Sequence, residues 1–153
     1  MLKAKLAESN FASLADMMNA YAQEAVRVAW NDHRQRLDLS ESSIDRLEQI
    51  LDGQSTEDLE FQTRLWGSYF GEVIRGRFAG EWELGPHPSG GVAAVPTLVV
   101  RGARLYPLMK VYRRLTMGAG ERIFPPSTRW SRAAWSQPNS GLKAYYSWAR
   151  SRG

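Results

Sequence analysis

Glu72 is the acid whose surroundings best suit it to chemistry. It stands between Gly71 and Val73 in a stretch where Leu65, Trp66, Tyr69, Phe70, Val73 and Ile74 are apolar. A carboxylate among such neighbours has two uses, as a general base whose pKa burial has raised or as one half of an ion pair. Arg113 and Arg114, further along the chain, are the available cations. No second acid, histidine or nucleophile accompanies Glu72 in a recognisable pattern, so the sequence assigns Glu72 and Arg114 structural roles and names no catalytic residue.

The remaining chemistry-bearing residues are few. His33 and His87 are the only histidines. His33 follows Asp32 at a helix end, where a cation suits the dipole, and His87 sits in a proline loop. Neither belongs to a spacing that gathers three or four metal ligands, so no metal or cofactor is expected. The chain has no cysteine, which excludes disulfides, thiolate metal centres and cysteine nucleophiles. Gly90-Gly91 and Gly118-Ala119-Gly120 lack the strand before and the Lys-Ser/Thr after that a phosphate cradle needs. Ser89 lacks a nucleophile-elbow context.

Binding residues are more plentiful. Trp130, Arg132, Trp135, Tyr145, Tyr146, Trp148 and Arg150 interleave aromatic and cationic side chains near the C-terminus, with Arg129, Lys143 and Arg152 among them. Such a segment can anchor a protein interface, since Trp, Tyr and Arg dominate hot spots. It can also stack bases and neutralise phosphates, or cover the chain's own core. Charge divides along the sequence, with 7 basic and 13 acidic residues from Met1 to Glu72 and 13 basic against 3 acidic from Val73 to Gly153. The two halves either face each other in the fold or are ordinary solvated faces, or the basic half is a surface built for an anionic partner. Asp52, Glu57, Asp58 and Glu60 form the acidic alternative as a partner-binding face.

The elements that carry these residues follow from periodicity. Phe11, Leu14, Met17, Met18, Tyr21, Ala22, Ala25, Val28 and Ala29 mark one stripe of a helix from about Phe11 to near Gln35, capped by Ser9 or Asn10. A second helix starts at a Ser40 cap, buries Ile44, Leu47, Ile50 and Leu51, and ends at a left-handed Gly53. A third spans about Thr56 to Arg77 behind the capping-box-like Ser55-Thr56-Glu57-Asp58. Its Gly67 and Gly71 stand four apart, and because each interior glycine costs ~1 kcal/mol relative to alanine, they predict a packing notch. Glu81-Trp82-Glu83-Leu84 alternates as a strand with Trp82 and Leu84 facing the helices, and Gly85 to Gly91 is loop. Val92 to Val95 is a short strand, Thr97 to Val100 a central one, Arg101 to Arg104 a turn and Leu105-Tyr106 a return strand. Pro107 opens a last helix that Gly118 closes. The order gives an α+β fold, N-terminal helices and a C-terminal helix packed on one face of a small antiparallel sheet. The 153 residues predict one domain over 1–124, with 125–153 an aromatic and basic extension packed on the body.

The run Gly67-Ser68-Tyr69-Phe70-Gly71-Glu72-Val73-Ile74-Arg75, then Glu81-Trp82, then Tyr106-Pro107-Leu108 with Val111, Arg113-Arg114-Leu115 and Gly118, resembles a family of small bacterial domains of unknown function. Those domains carry a Gly-x-x-hydrophobic-Gly-Glu-Val helix, a Trp-bearing strand and a Phe/Tyr-Pro-hydrophobic helix. The resemblance covers about Leu65 to Ile123, and the proline loop and aromatic tail depart from it. It implies a bacterial origin and a compact domain, and by association with domains of this size, an immunity protein that neutralises a toxin by direct binding. The expected function is therefore non-enzymatic protein binding, with nucleic-acid binding through the C-terminal segment as the alternative. No apolar run reaches the ~20 residues of a spanning helix and no apolar leader follows Lys3 and Lys5, so the chain is expected to be cytoplasmic and off the membrane. The sequence does not indicate its oligomeric state or its partner's identity.

Overall fold

A computed structural model of the chain describes residues 11–54, 57–86, 94–118 and 120–123. Among them four helices and a three-stranded antiparallel sheet make an α+β arrangement. The helices are α1 (Leu14–His33), α2 (Ser43–Asp52), α3 (Leu59–Phe78) and α4 (Pro107–Met117); the strands are β1 (Glu81–Pro86), β2 (Ala94–Val100) and β3 (Ala103–Leu105). The extension over 125–153, and with it Trp130, Arg132, Trp135, Tyr145, Tyr146, Trp148 and Arg150, lies outside the described residues.

Ser13 opens α1, in place of the expected Ser9 or Asn10. Its backbone is extended and its Oγ accepts the Asp16 N–H at 3.1 Å, satisfying one of the free donors of a helix start. The stripe buries Met18, Tyr21, Ala22, Ala25 and Ala29 against α3. α2 starts at Ser43, later than expected, because Ser40 caps a preceding turn in which its Oγ accepts the Ser43 N–H at 3.2 Å. Gly53 ends α2 with φ of −94°, so the left-handed conformation expected there is not used.

α3 is the central element, with α1 along one side and α4 along another. Every residue from Leu65 to Ile74 is buried, as a helix surrounded by protein requires. Two of its three glycines, Gly67 and Gly71, are where neighbours come closest. A Cβ at Gly67 would lie 2.8 Å from the Leu108 Cα, and one at Gly71 would lie 2.2 Å from the Trp82 ring and 3.2 Å from Pro107. The start of α4 thus rests on Gly67, and the Trp82 indole rests on Gly71.

β1 and β2 pair in the register Trp82 to Leu98 and Leu84 to Pro96; β2 and β3 pair Leu98 to Leu105. Trp82, Leu98, Val100 and Leu105 face the helices and are buried. Three expectations change here. β1 continues through Gly85 and Pro86, which were assigned to loop. β2 is one strand where two were expected, because β3 spans only Val100 to Leu98 of its length and leaves the strand beside Pro96 an edge, where proline's missing donor costs nothing. Leu84 is 63% exposed, since the helical cover stops at Trp82. The β2–β3 turn needs only Arg101 (φ 51°) and Gly102 (φ 79°), the pair of positive angles of a tight hairpin whose twist matches its strands.

Candidate functional site

The buried ionisable groups are committed to one another. Glu72, 5% exposed, accepts hydrogen bonds from Arg75 Nε at 2.6 Å, Trp82 Nε1 at 2.9 Å and Asn19 Nδ2 at 3.2 Å. Burial pushes its pKa up, but the donations from Arg75, Trp82 and Asn19 outweigh this and hold the carboxyl below its ordinary value. A carboxylate stabilised as an anion and closed in by three donors is a poor proton acceptor. Its cation is Arg75, one turn along the same helix, and not Arg113 or Arg114 as the sequence suggested.

Those two arginines serve other acids. Arg114, 4% exposed, donates to Glu48 Oε2 at 3.0 Å and to Asp52, joining α4 to α2. Glu48 Oε1 in turn accepts the Ile123 N–H at 2.6 Å, which fixes the chain after α4 against α2. Glu121 lies 3.6 Å from Lys110 Nζ and 3.5 Å from Arg113. Among the described residues no three His, Asp or Glu side chains gather as a metal site, and no helix is long and apolar enough to cross a membrane.

The surface offers a different constellation at the end of α1. Trp30 is a large ring left 47% exposed. Residues three and four apart share a helix face, so Val26 and Arg27 stand beside it, and Arg34 follows one turn later. Arg34 is not helical: it takes the left-handed conformation (φ 54°) and turns the chain back, with its N–H returning to the carbonyls of Ala29 and Trp30 and that of Gln35 to Ala29 at 3.0 Å. This reversal places the Arg34 guanidinium 5.5 Å and that of Arg36 5.8 Å from the Trp30 ring centre, the range of a cation–π contact. Leu37 then enters the core. Val26, Arg27, Trp30, Asn31, Arg36 and Leu37 line an open groove of about 360 Å³.

Other elements hold this turn in place. Arg46 of α2 donates from Nε to the Arg36 carbonyl at 2.6 Å, and Gln35 Nε2 donates to Gln49 at 3.1 Å. Tyr69 of α3 accepts the Leu39 N–H at 2.8 Å and shares a 2.6 Å hydrogen bond with Ser43. The ring, both guanidiniums and the groove floor are therefore formed without a partner.

The sequence-based candidates are distributed differently. Gly67, Gly71, Glu72, Trp82, Pro107 and Arg114 all lie in the interior around α3 and α4. Of the acidic alternative, Asp52 is engaged by Arg114 and Glu60 by Arg64 at 2.9 Å, while Glu57 and Asp58 precede α3 at the surface. Sequence reasoning missed the Trp30 platform. The available signal was that Trp30 lies off the apolar stripe while an arginine stands four residues on; what periodicity cannot show is the left-handed turn that brings Arg36 back. Comparison of the chain with protein-family models, curated proteins and solved structures found no match.

Proposed function

We propose that the chain is a non-enzymatic protein-binding domain and that Trp30 with Arg34 and Arg36 is its contact surface. The observation that carries this reading is the half-exposed indole with two guanidiniums over it beside an open groove. Trp and Arg are the residues that dominate interface energetics, and a platform already held in shape loses little entropy on binding. The inward-turned acids support the same reading, because Glu72, Glu48 and Glu121 are each engaged by cations of the fold. Neutralising a toxin by direct occlusion is the role that small bacterial domains of this size suggest by association, and we carry it forward as part of the proposal. The nucleic-acid alternative depended on the C-terminal segment and gains nothing from the described residues.

Affinity purification of the tagged full chain from its native host tests the reading. The wild type should retain a stoichiometric protein that Trp30→Ala loses, with both chains showing the same unfolding midpoint. Recovery of the wild type alone, or equal retention by both, would refute it. Co-expression tests the finer role: the retained protein should be toxic to the host by itself and harmless with the wild-type chain.

A further inference from the structure

We propose that the groove beside Trp30 receives an acidic linear segment of the partner, with one bulky apolar side chain seated on Val26, Leu37 and the flank of Trp30 and its neighbouring carboxylates taken by Arg34 and Arg36. The inference rests on the protein-binding reading and adds the chemistry of what is bound.

Elsewhere among the described residues most arginines are paired with acids. Arg27, Arg46, Arg64, Arg75, Arg77, Arg104, Arg113 and Arg114 each have a carboxylate within 4.0 Å. Arg34, Arg36, Arg101 and Arg122 have none among the described residues; of these Arg101 lies over the buried Phe78, and Arg34 and Arg36 both stand over the one half-exposed indole. A guanidinium stacked on an indole keeps its planar fork of N–H donors free at the edge, the geometry that holds a carboxylate by two parallel hydrogen bonds. Neither of these two forks has an anion among the described residues.

The groove adds the apolar part. Its volume of about 360 Å³ lies at the low end for small-ligand sites (~300–1,000 Å³), and it is open, so it suits a side chain presented from a backbone outside it better than an enclosed small molecule. A nucleic-acid strand fits less well. The guanidiniums already occupy the indole face that a base would stack on. Acids also flank the platform: Glu24 pairs with Arg27 on the groove wall, and Asp38 pairs with Arg46 beside the Arg36 carbonyl. A continuous line of phosphates must run past them, whereas a peptide needs two carboxylates at two fixed points.

The test is selection from a random heptapeptide phage library on the full chain, run in parallel on Arg34→Glu/Arg36→Glu, both substitutions being at exposed positions. Wild type should enrich peptides with one large apolar residue flanked by Asp or Glu. A synthetic, fluorescein-labelled copy of the dominant peptide should then lose at least about tenfold in affinity on the double charge reversal and on Trp30→Ala. Arg34→Lys/Arg36→Lys should lose several-fold, since charge stays but the forks go. No enrichment, enrichment without acids, or acidic peptides indifferent to the charge reversal would each overturn the inference. With the host partner still retained in a Trp30-dependent way, only the inference falls; with that partner absent as well, the protein-binding reading falls too. Preferential binding of a labelled oligothymidylate, lost on the same reversal, would overturn both.

Discussion

Alanine at Gly71 and alanine at Gly76 make the same chemical change on the same helix, and the structure assigns them opposite signs. At Gly76 a Cβ meets nothing within 4 Å, so only helix propensity acts, and Gly76→Ala should stabilise the fold by about 0.5–1 kcal/mol. At Gly71 the Cβ would lie 2.2 Å and 2.3 Å from two atoms of the Trp82 ring, against the ~3.5–4.0 Å of an ordinary carbon contact. The indole must retreat by more than ~1 Å, and it is not free to do so, because its Nε1 donates to Glu72 at 2.9 Å. Overpacking costs ~1–3 kcal/mol and a lost hydrogen bond to a charged group ~1.5–3 kcal/mol, against a propensity gain of ~1 kcal/mol. The net is a destabilisation of about 1.5–5 kcal/mol, or roughly 3–20 °C in Tm for a chain of this length. Urea titrations followed by far-ultraviolet circular dichroism measure both variants against wild type. A Gly71→Ala midpoint at or above wild type would show that the ring accommodates the methyl group and that the notch does not set the packing of α3.

Two further outcomes follow from the buried charges. Because folding lowers the Glu72 pKa below its ordinary 4.5, the folded state holds fewer protons than the unfolded chain as acid is added. The stability tied to Glu72 is therefore complete above pH 4.5 and disappears as pH falls through the lower folded value. Stability profiles of wild type and Glu72→Gln should accordingly differ most near neutrality and converge in acid, and parallel profiles down to pH 3 would contradict the assignment. Glu48→Ala, which leaves the buried Arg114 with only the exposed carboxylate of Asp52, should cost about 3–5 kcal/mol. Adding Arg114→Leu should recover part of that loss, and a double mutant as damaged as the sum of its singles would argue against a direct interaction.

Most of the architecture was legible because it depends on local physics. The apolar stripe of α1, Pro107 at the start of α4 and the alternation around Trp82 are each decided within a few residues. The boundaries that moved were set by contacts the sequence does not display. Ser13 serves as the cap because it is the hydroxyl that reaches the Asp16 N–H, and β2 runs through Pro96 because its neighbour β3 is short. Glu72 was legible as an ion-paired acid but not its partner, since Arg75 on the same helix competes with any cation brought by the fold. The Trp30 platform was the least legible feature. Its geometry depends on non-glycine Arg34 adopting a left-handed angle, which composition disfavours and which the Arg46 and Tyr69 contacts stabilise from other helices.

The seating of Trp82 on Gly71 and of Leu108 on Gly67 ties four distant positions into two steric pairs. In diverged copies of this chain a bulkier residue at 71 should be accompanied by a slimmer one at 82, whereas 67 should stay glycine, because the Leu108 Cα that blocks it is present in every residue. That paired variation is a signature by which distant kin can be recognised when overall identity has faded.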